Sequence, residues 1–145
     1  MLWLLRHGDA EDSAADDFSR RLTAKGERQS RAAGLALAQL GVKIDVCLTS
    51  PKLRALETAR LAAAELGVEV EEIGALRGGD FDPYEVAAGH GTVLLVGHEP
   101  DFSRAIQLMT GARVELKKGG LAGIKEGALV TLLQPKQLRA IADPG

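Results

Sequence analysis

The chain has 145 residues, 46% of them hydrophobic and 26% charged, and its 18 Lys and Arg against 20 Asp and Glu give a formal net charge of -2. That length suits one domain with a substantial core, and the composition is that of an ordinary soluble globular protein. The charge balance and the lack of a basic block argue against general nucleic-acid binding, and no apolar stretch has the length of a transmembrane helix or the form of a signal peptide. The single cysteine, Cys47, lies in the apolar run Val46-Cys47-Leu48 and reads as a small buried hydrophobe in a reducing compartment, so a cytoplasmic protein is expected.

In chain order, Leu2 to Leu5 are apolar without alternation, the pattern of a strand buried on both faces. The strand stops at Arg6-His7-Gly8. Glu11 to Phe18 is acidic, has no helical stripe and reads as a loop. Thr23 can cap a helix to about Leu40, with Ala33, Leu37 and Leu40 on its buried face and Gly41 as a stop. Ile44 to Thr49 is a second strand, and Ser50-Pro51 opens a second helix whose apolar positions run from Leu53 to Leu66. Val68 to Ile73 predicts a short strand at an edge. Gly74 to Gly91 is glycine-rich, with room for a short helix after Pro83, and His90 between two glycines reads as an exposed turn residue. Thr92 to Val96 is another buried strand, ending in Gly97-His98-Glu99-Pro100, and Phe102, Ala105, Ile106 and Met109 mark the helix after it. Leu121 to Ile124 and Ala128 to Leu133 predict two strands joined by a tight turn, and Gln137 to Ala142 a last helical turn. The sum is an α/β protein with a mostly parallel central sheet and some antiparallel pairing at the end.

Ligands of open α/β sheets bind beyond the carboxyl ends of the strands. If the strands ending at Arg6-His7, Thr49-Ser50 and Gly97-His98 are parallel, two histidines and two arginines, Arg6 and Arg54, converge at one edge. Such a pocket suits a tetrahedral oxyanion such as phosphate, with Gly8 allowing close approach and helix N-termini adding N–H groups. Histidine in that setting is a nucleophile kept neutral by its cationic neighbours.

The successive motifs Arg6-His7-Gly8-Asp9-Ala10, Leu22-Thr23-x-x-Gly26-x-x-Gln29, Ser50-Pro51-x-x-Arg54-Ala55-x-x-Thr58-Ala59 and Gly97-His98-x-Pro100 resemble those of the histidine phosphatase superfamily. Within it the chain is similar to the small SixA-type phosphohistidine phosphatases. The resemblance implies a phosphoglycerate mutase-like, three-layer sandwich with helices on both faces of the sheet, in a small version without a lid. It implies that His7 is the nucleophile, that Arg6, Arg54 and His98 hold the phosphoryl oxygens with Gly8 beside them, and that no metal or organic cofactor is required. Larger members carry an insertion after the second helix that supplies an acid for the leaving group. Here only Gly67 to Gly91 stands in that place, so the donor is open, with Glu99 the first candidate and Asp80 and Asp82 the others.

The missing insertion predicts a shallow, open pocket that admits a phosphorylated side chain of another protein, and a labile P–N bond has less need of a strong acid. A phosphohistidine-bearing protein is thus the expected partner, with a small phosphomonoester as the alternative, and neither nucleic acid nor membrane is expected. A monomer is expected. Asp9 either orients the Arg-His turn or faces water, Ser13 lies in the acidic loop, and Trp3 reads as core. Two readings from other classes are a metallohydrolase using His7, Asp9, His98 and Glu99, which the neighbouring guanidinium groups disfavour, and a non-catalytic phosphate-binding module.

Overall fold

The computed structural model describes residues 1–143. Their elements are β1 (Leu2–Arg6), α1 (Ala24–Gln39), β2 (Val46–Thr49), α2 (Leu53–Leu66), β3 (Val70–Glu72), α3 (Pro83–Ala87), β4 (Val93–Gly97), α4 (Asp101–Thr110), β5 (Leu121–Lys125), β6 (Ala128–Leu133) and α5 (Pro135–Ala142). One six-stranded sheet runs in the order β3-β2-β4-β1-β5-β6. The first four strands in that order are mutually parallel, whereas β5 pairs antiparallel with β1 and β6 antiparallel with β5. As expected, Val70–Glu72 lies at an edge.

The unbroken apolar runs of β1 and β4 are explained by burial on both faces. Trp3, Leu5, Leu94 and Val96 join one core with Ala33 and Leu37 of α1, Ala59 and Ala63 of α2 and Leu138 of α5. Leu2, Leu4, Val93 and Leu95 join the other with Phe102 and Ile106 of α4. Alternate residues of one strand thus serve two cores, and helices cover both sides of the sheet. Cys47 is fully buried, and that burial pushes its thiol up to about 12. No helix of the described residues is long and apolar enough to cross a membrane.

Two differences from the sequence reading have local causes. Strand β2 starts at Val46, not Ile44, because Asp45 is drawn to Thr92 through N–H donation in both directions: its amide donates to the Thr92 carbonyl at 2.8 Å, and its carboxylate accepts from the Thr92 amide at 2.7 Å. The acidic segment 11–18 is not featureless either. Asp16 caps a single 3-10 turn at Asp17–Ser19, which places Asp17 over α2.

The chain packs most tightly where β1 gives way to its turn. An added Cβ at Gly26 would lie 1.9 Å from the Asp9 carbonyl oxygen, and one at Gly8 would lie 2.6 Å from the Gly26 carbonyl oxygen. Both contacts are with backbone, which has no room to yield. Gly26→Ala should therefore cost about 3 kcal/mol of stability or more, read from urea unfolding midpoints. Gly74→Ala, with nothing within 4 Å of its added carbon, should stay within about 1 kcal/mol of the parent.

Candidate active site

Register brings the chemistry to one edge. Arg6 pairs with Gly97 and Thr49 with Val96, so β1, β4 and β2 end level, and His7, His98 and Ser50 follow directly. The His7 amide donates to the Gly97 carbonyl and the Ser50 amide to the Val96 carbonyl, each at 3.0 Å. His7, Arg54 and His98 are only 6%, 6% and 5% exposed. The Asp17 turn lies against Arg54 and helps to cover it.

Residues of the Leu22-Thr23-x-x-Gly26-x-x-Gln29 stretch hold the turn after His7. The Thr23 hydroxyl donates to the Asp9 carboxylate at 2.8 Å and accepts from the Gly26 amide at 3.1 Å, while the Asp9 amide donates to the Gln29 side-chain oxygen at 2.8 Å. Asp9 orients the turn from a partly buried place, tied also to Lys118 at 3.5 Å. Spacing explains the α2 motif in the same way. Thr58, one helical turn after Arg54, donates to the Arg54 carbonyl at 2.7 Å and accepts from the Gly8 amide at 3.1 Å. Gly8 thus has its amide on Thr58 and its carbonyl on His7, and its contribution to the pocket is its lack of bulk.

The His7 ring is held by the backbone of the next residue. Its Nδ1 lies 2.7 Å from the Gly8 carbonyl oxygen. A carbonyl can only accept, so Nδ1 carries the hydrogen and Nε2 keeps its lone pair. The His98 ring faces it with 5.3 Å between centroids. His98 Nε2 lies 2.8 Å from Ser50 Oγ, which itself accepts from the Lys52 amide at 3.2 Å. His98 is thus held through Nε2, and its Nδ1 is a buried atom without a partner. Both guanidinium groups are anchored at one end and have a buried Nε without a partner. Arg6 Nη1 donates to the Leu116 carbonyl and Arg54 Nη1 to the Asp17 carbonyl, each at 2.8 Å.

The acidic candidates are placed apart. Both oxygens of Glu99 are occupied: one accepts from the Ser103 amide at 2.7 Å, the other from the Ser103 hydroxyl and from the Leu116 amide at 3.1 Å. Glu99 thereby fixes Leu116, on whose carbonyl Arg6 rests. Asp82 caps α3, accepting from Tyr84 and Glu85 amides, and Asp80 is exposed on the preceding loop. Asp17, which the sequence reading passed over, is the carboxylate at the cradle. It lies 3.3 Å from both Arg54 and Lys52 and 3.2 Å from Arg20, which hold its carboxyl down at about 2, Arg20 contributing most. Its position beside a paired arginine, rather than any motif, gives it away.

Burial, seconded by the positive charges of Arg54, Arg6 and Arg20, lowers His7 to about 4 against the donated bond to Gly8. Burial first, then His7, Arg54 and Lys52, lowers His98 to about 3. Both rings are neutral near pH 7. Because the unfolded chain takes up these protons first, the stability they confer is complete above about pH 6.5 and declines as pH falls toward 4, by about 1.4 kcal/mol per pH unit for each ring. An NMR titration of the His7 ring carbon-bound protons should give a midpoint near 4, and a midpoint near 6.5 would show that the ring is solvated.

Comparison with known proteins places this geometry in a family. The model of the histidine phosphatase superfamily (branch 1) matches residues 2–90. An uncharacterized protein of Picosynechococcus is 41% identical over 142 residues, covering 88% of this chain and 86% of its own length. The serine/threonine-protein phosphatase Pgam5 of Drosophila persimilis is 32% identical over 115 residues, 77% of this chain, but the chain spans only 37% of that protein. Among solved structures, the protein histidine phosphatase SixA complexed with tungstate aligns with a TM-score of 0.82 and 26% identity, covering 94% of this chain and 98% of that one. The α-ribazole phosphatase of Shigella flexneri shares the fold at 19% identity, with a TM-score of 0.68 and coverage of 92% and 95%. With its motifs met in order and its strand ends converging on the two histidines, the chain belongs to the histidine phosphatase superfamily.

Proposed function

We propose that the chain is a phosphatase that hydrolyses phosphohistidine on a protein through a covalent phosphoryl group on His7. The family and its neighbours support a phosphatase. The observation that carries the choice of bond is the state of the carboxylates: Glu99 has both oxygens engaged and Asp17 is held ionised by Arg20, Arg54 and Lys52. Neither is poised to protonate an alkoxide, and a leaving imidazole does not require it. Similarity to SixA along nearly the whole length of both chains supports the same reading.

In the proposed reaction His7 Nε2 attacks phosphorus and the bond from phosphorus to the substrate imidazole breaks. The electron pair passes to the leaving ring, which departs neutral because solvent protonates its other nitrogen. Arg6, Arg54 and His98 Nδ1 stabilise the charge on the equatorial oxygens, fixed in advance by Leu116, Asp17 and Ser50. Water then attacks phospho-His7, releasing phosphate and restoring the neutral ring. Glu99 acts as a positioning residue through Leu116 and Arg6. The α-ribazole phosphatase of the same fold favours a small phosphomonoester as the second reading. A four-ligand metal site from His7, Asp9, His98 and Glu99 is opposed by the commitment of Asp9 to Thr23 and of Glu99 to Leu116 and Ser103.

Rapid quenching with a phosphohistidine peptide should trap an acid-labile, base-stable phosphate on His7, absent from His7→Ala, and turnover should persist in excess chelator. Phosphate-free enzyme together with no release of phosphate would leave only a binding module.

Glu99→Gln should lower kcat/KM by similar factors on a phosphohistidine peptide and on a phosphoserine peptide, an alkyl phosphate ester. A loss about a hundredfold greater on the ester would make Glu99 the general acid instead.

A further inference from the structure

A cavity of about 840 Å³ lies beside the His7 cradle. It lies between α1, α5 and the 117–118 turn, and it shares Arg6, Asp9 and Gln29 with the site. Lys25 and Arg28 line it from α1, Lys136 and Arg139 from α5, and Lys117 and Lys118 from the turn. Each helical pair is spaced i,i+3 and so shares one helix face. With Arg6, the lining holds seven cations against two carboxylates, Asp9 and Asp143, in a chain whose total charge is -2. Lys118 is paired with Asp9 at 3.5 Å, and none of the other five lysines and arginines at the rim has a carboxylate within 4.0 Å among the described residues.

We propose that this cleft docks an acidic segment of the phosphorylated protein substrate, next to the histidine that carries the phosphoryl group. The inference rests on the phosphohistidine reading for the identity of the substrate. Three observations select the occupant. Arg6 makes the cleft continuous with the phosphoryl cradle, so a chain that delivers a side chain to His7 has its neighbouring residues at the rim. His7, Arg54 and His98 are nearly buried and offer a substrate little beyond a phosphoryl contact, which leaves recognition of its other residues to surrounding surface. No aromatic side chain lines the cleft, so a nucleotide base would find nothing on which to stack. Long, unpaired lysines and arginines around a concave surface favour carboxylates by charge, accelerating encounter and weakening with salt.

The test compares the parent with a variant carrying Lys25→Gln, Arg28→Gln, Lys136→Gln and Arg139→Gln, all at exposed positions. The substrates are two phosphohistidine peptides, flanked by glutamates or by glutamines, and phosphoimidazole. The proposal expects kcat/KM on the acidic peptide to fall about tenfold or more in the variant, through KM rather than kcat, with phosphoimidazole turnover within about twofold of the parent. Added salt should weaken the parent on the acidic peptide and leave the variant little changed. Equal losses on all three substrates, or no loss on the acidic peptide, would overturn it. So would tight binding of inorganic tripolyphosphate at the cleft without any preference for the acidic peptide, which would assign the cleft to a small polyanion. If no phosphohistidine compound is turned over, the functional reading fails by itself. Fluorescence anisotropy with the unphosphorylated acidic peptide then decides the cleft: binding lost in the variant supports the docking site, and equal binding in both proteins refutes it.

Discussion

Everything at the active edge depends on the contact between the turn after β1 and the first turn of α1. Two glycines, Gly8 and Gly26, let the two backbones meet where any side chain would collide. Thr23 and Gln29 then bind Asp9 from the same helix, and Thr58 binds Gly8 from the next one. The His7 ring inherits its direction from this clasp, because its Nδ1 is anchored on Gly8, the residue the clasp immobilises. A ring fixed in this way has its orientation settled during folding, before any ligand arrives.

The electrostatic arrangement follows the same logic. Arginines beside an imidazole would be wasted if the imidazole were charged, and burial together with their own field keeps it neutral. The arginines in turn are held by backbone carbonyls, those of Leu116 and Asp17, so a part of each guanidinium is satisfied while its buried Nε stays without a protein partner. Asp17 balances charge at Arg54 and Lys52 and limits the mutual repulsion that a bare cationic cluster would suffer.

The strands and the convergence of the histidines were legible because both rest on local pattern. Leu2 to Leu5 and Thr92 to Val96 had to be buried on both faces, and the residues at their ends had to sit together once the strands were parallel. The helix start at Thr23 was equally readable from its capping side chain. What stayed hidden depends on tertiary placement. Nothing in the sequence distinguishes Asp17 from Asp16 and Asp12 until a 3-10 turn lays one of them on Arg54. Glu99 looked free beside His98, yet α4 and the 111–118 loop take up both of its oxygens. The basic cleft draws its charges from four separate segments and appears in no stretch of sequence as a basic block.

Cys47 sits in β2, between β3 and β4, with a thiol that burial keeps protonated to about pH 12. It is the chain's single cysteine. A phosphatase whose nucleophile is a thiolate can be silenced by peroxide, since the same ionisation that makes sulfur reactive exposes it to oxidation. In the reaction proposed above the attacking atom is a ring nitrogen, and the thiol is buried. The same fold that hides the thiol in the core therefore withholds the chain's one cysteine from oxidants while the protein stays folded.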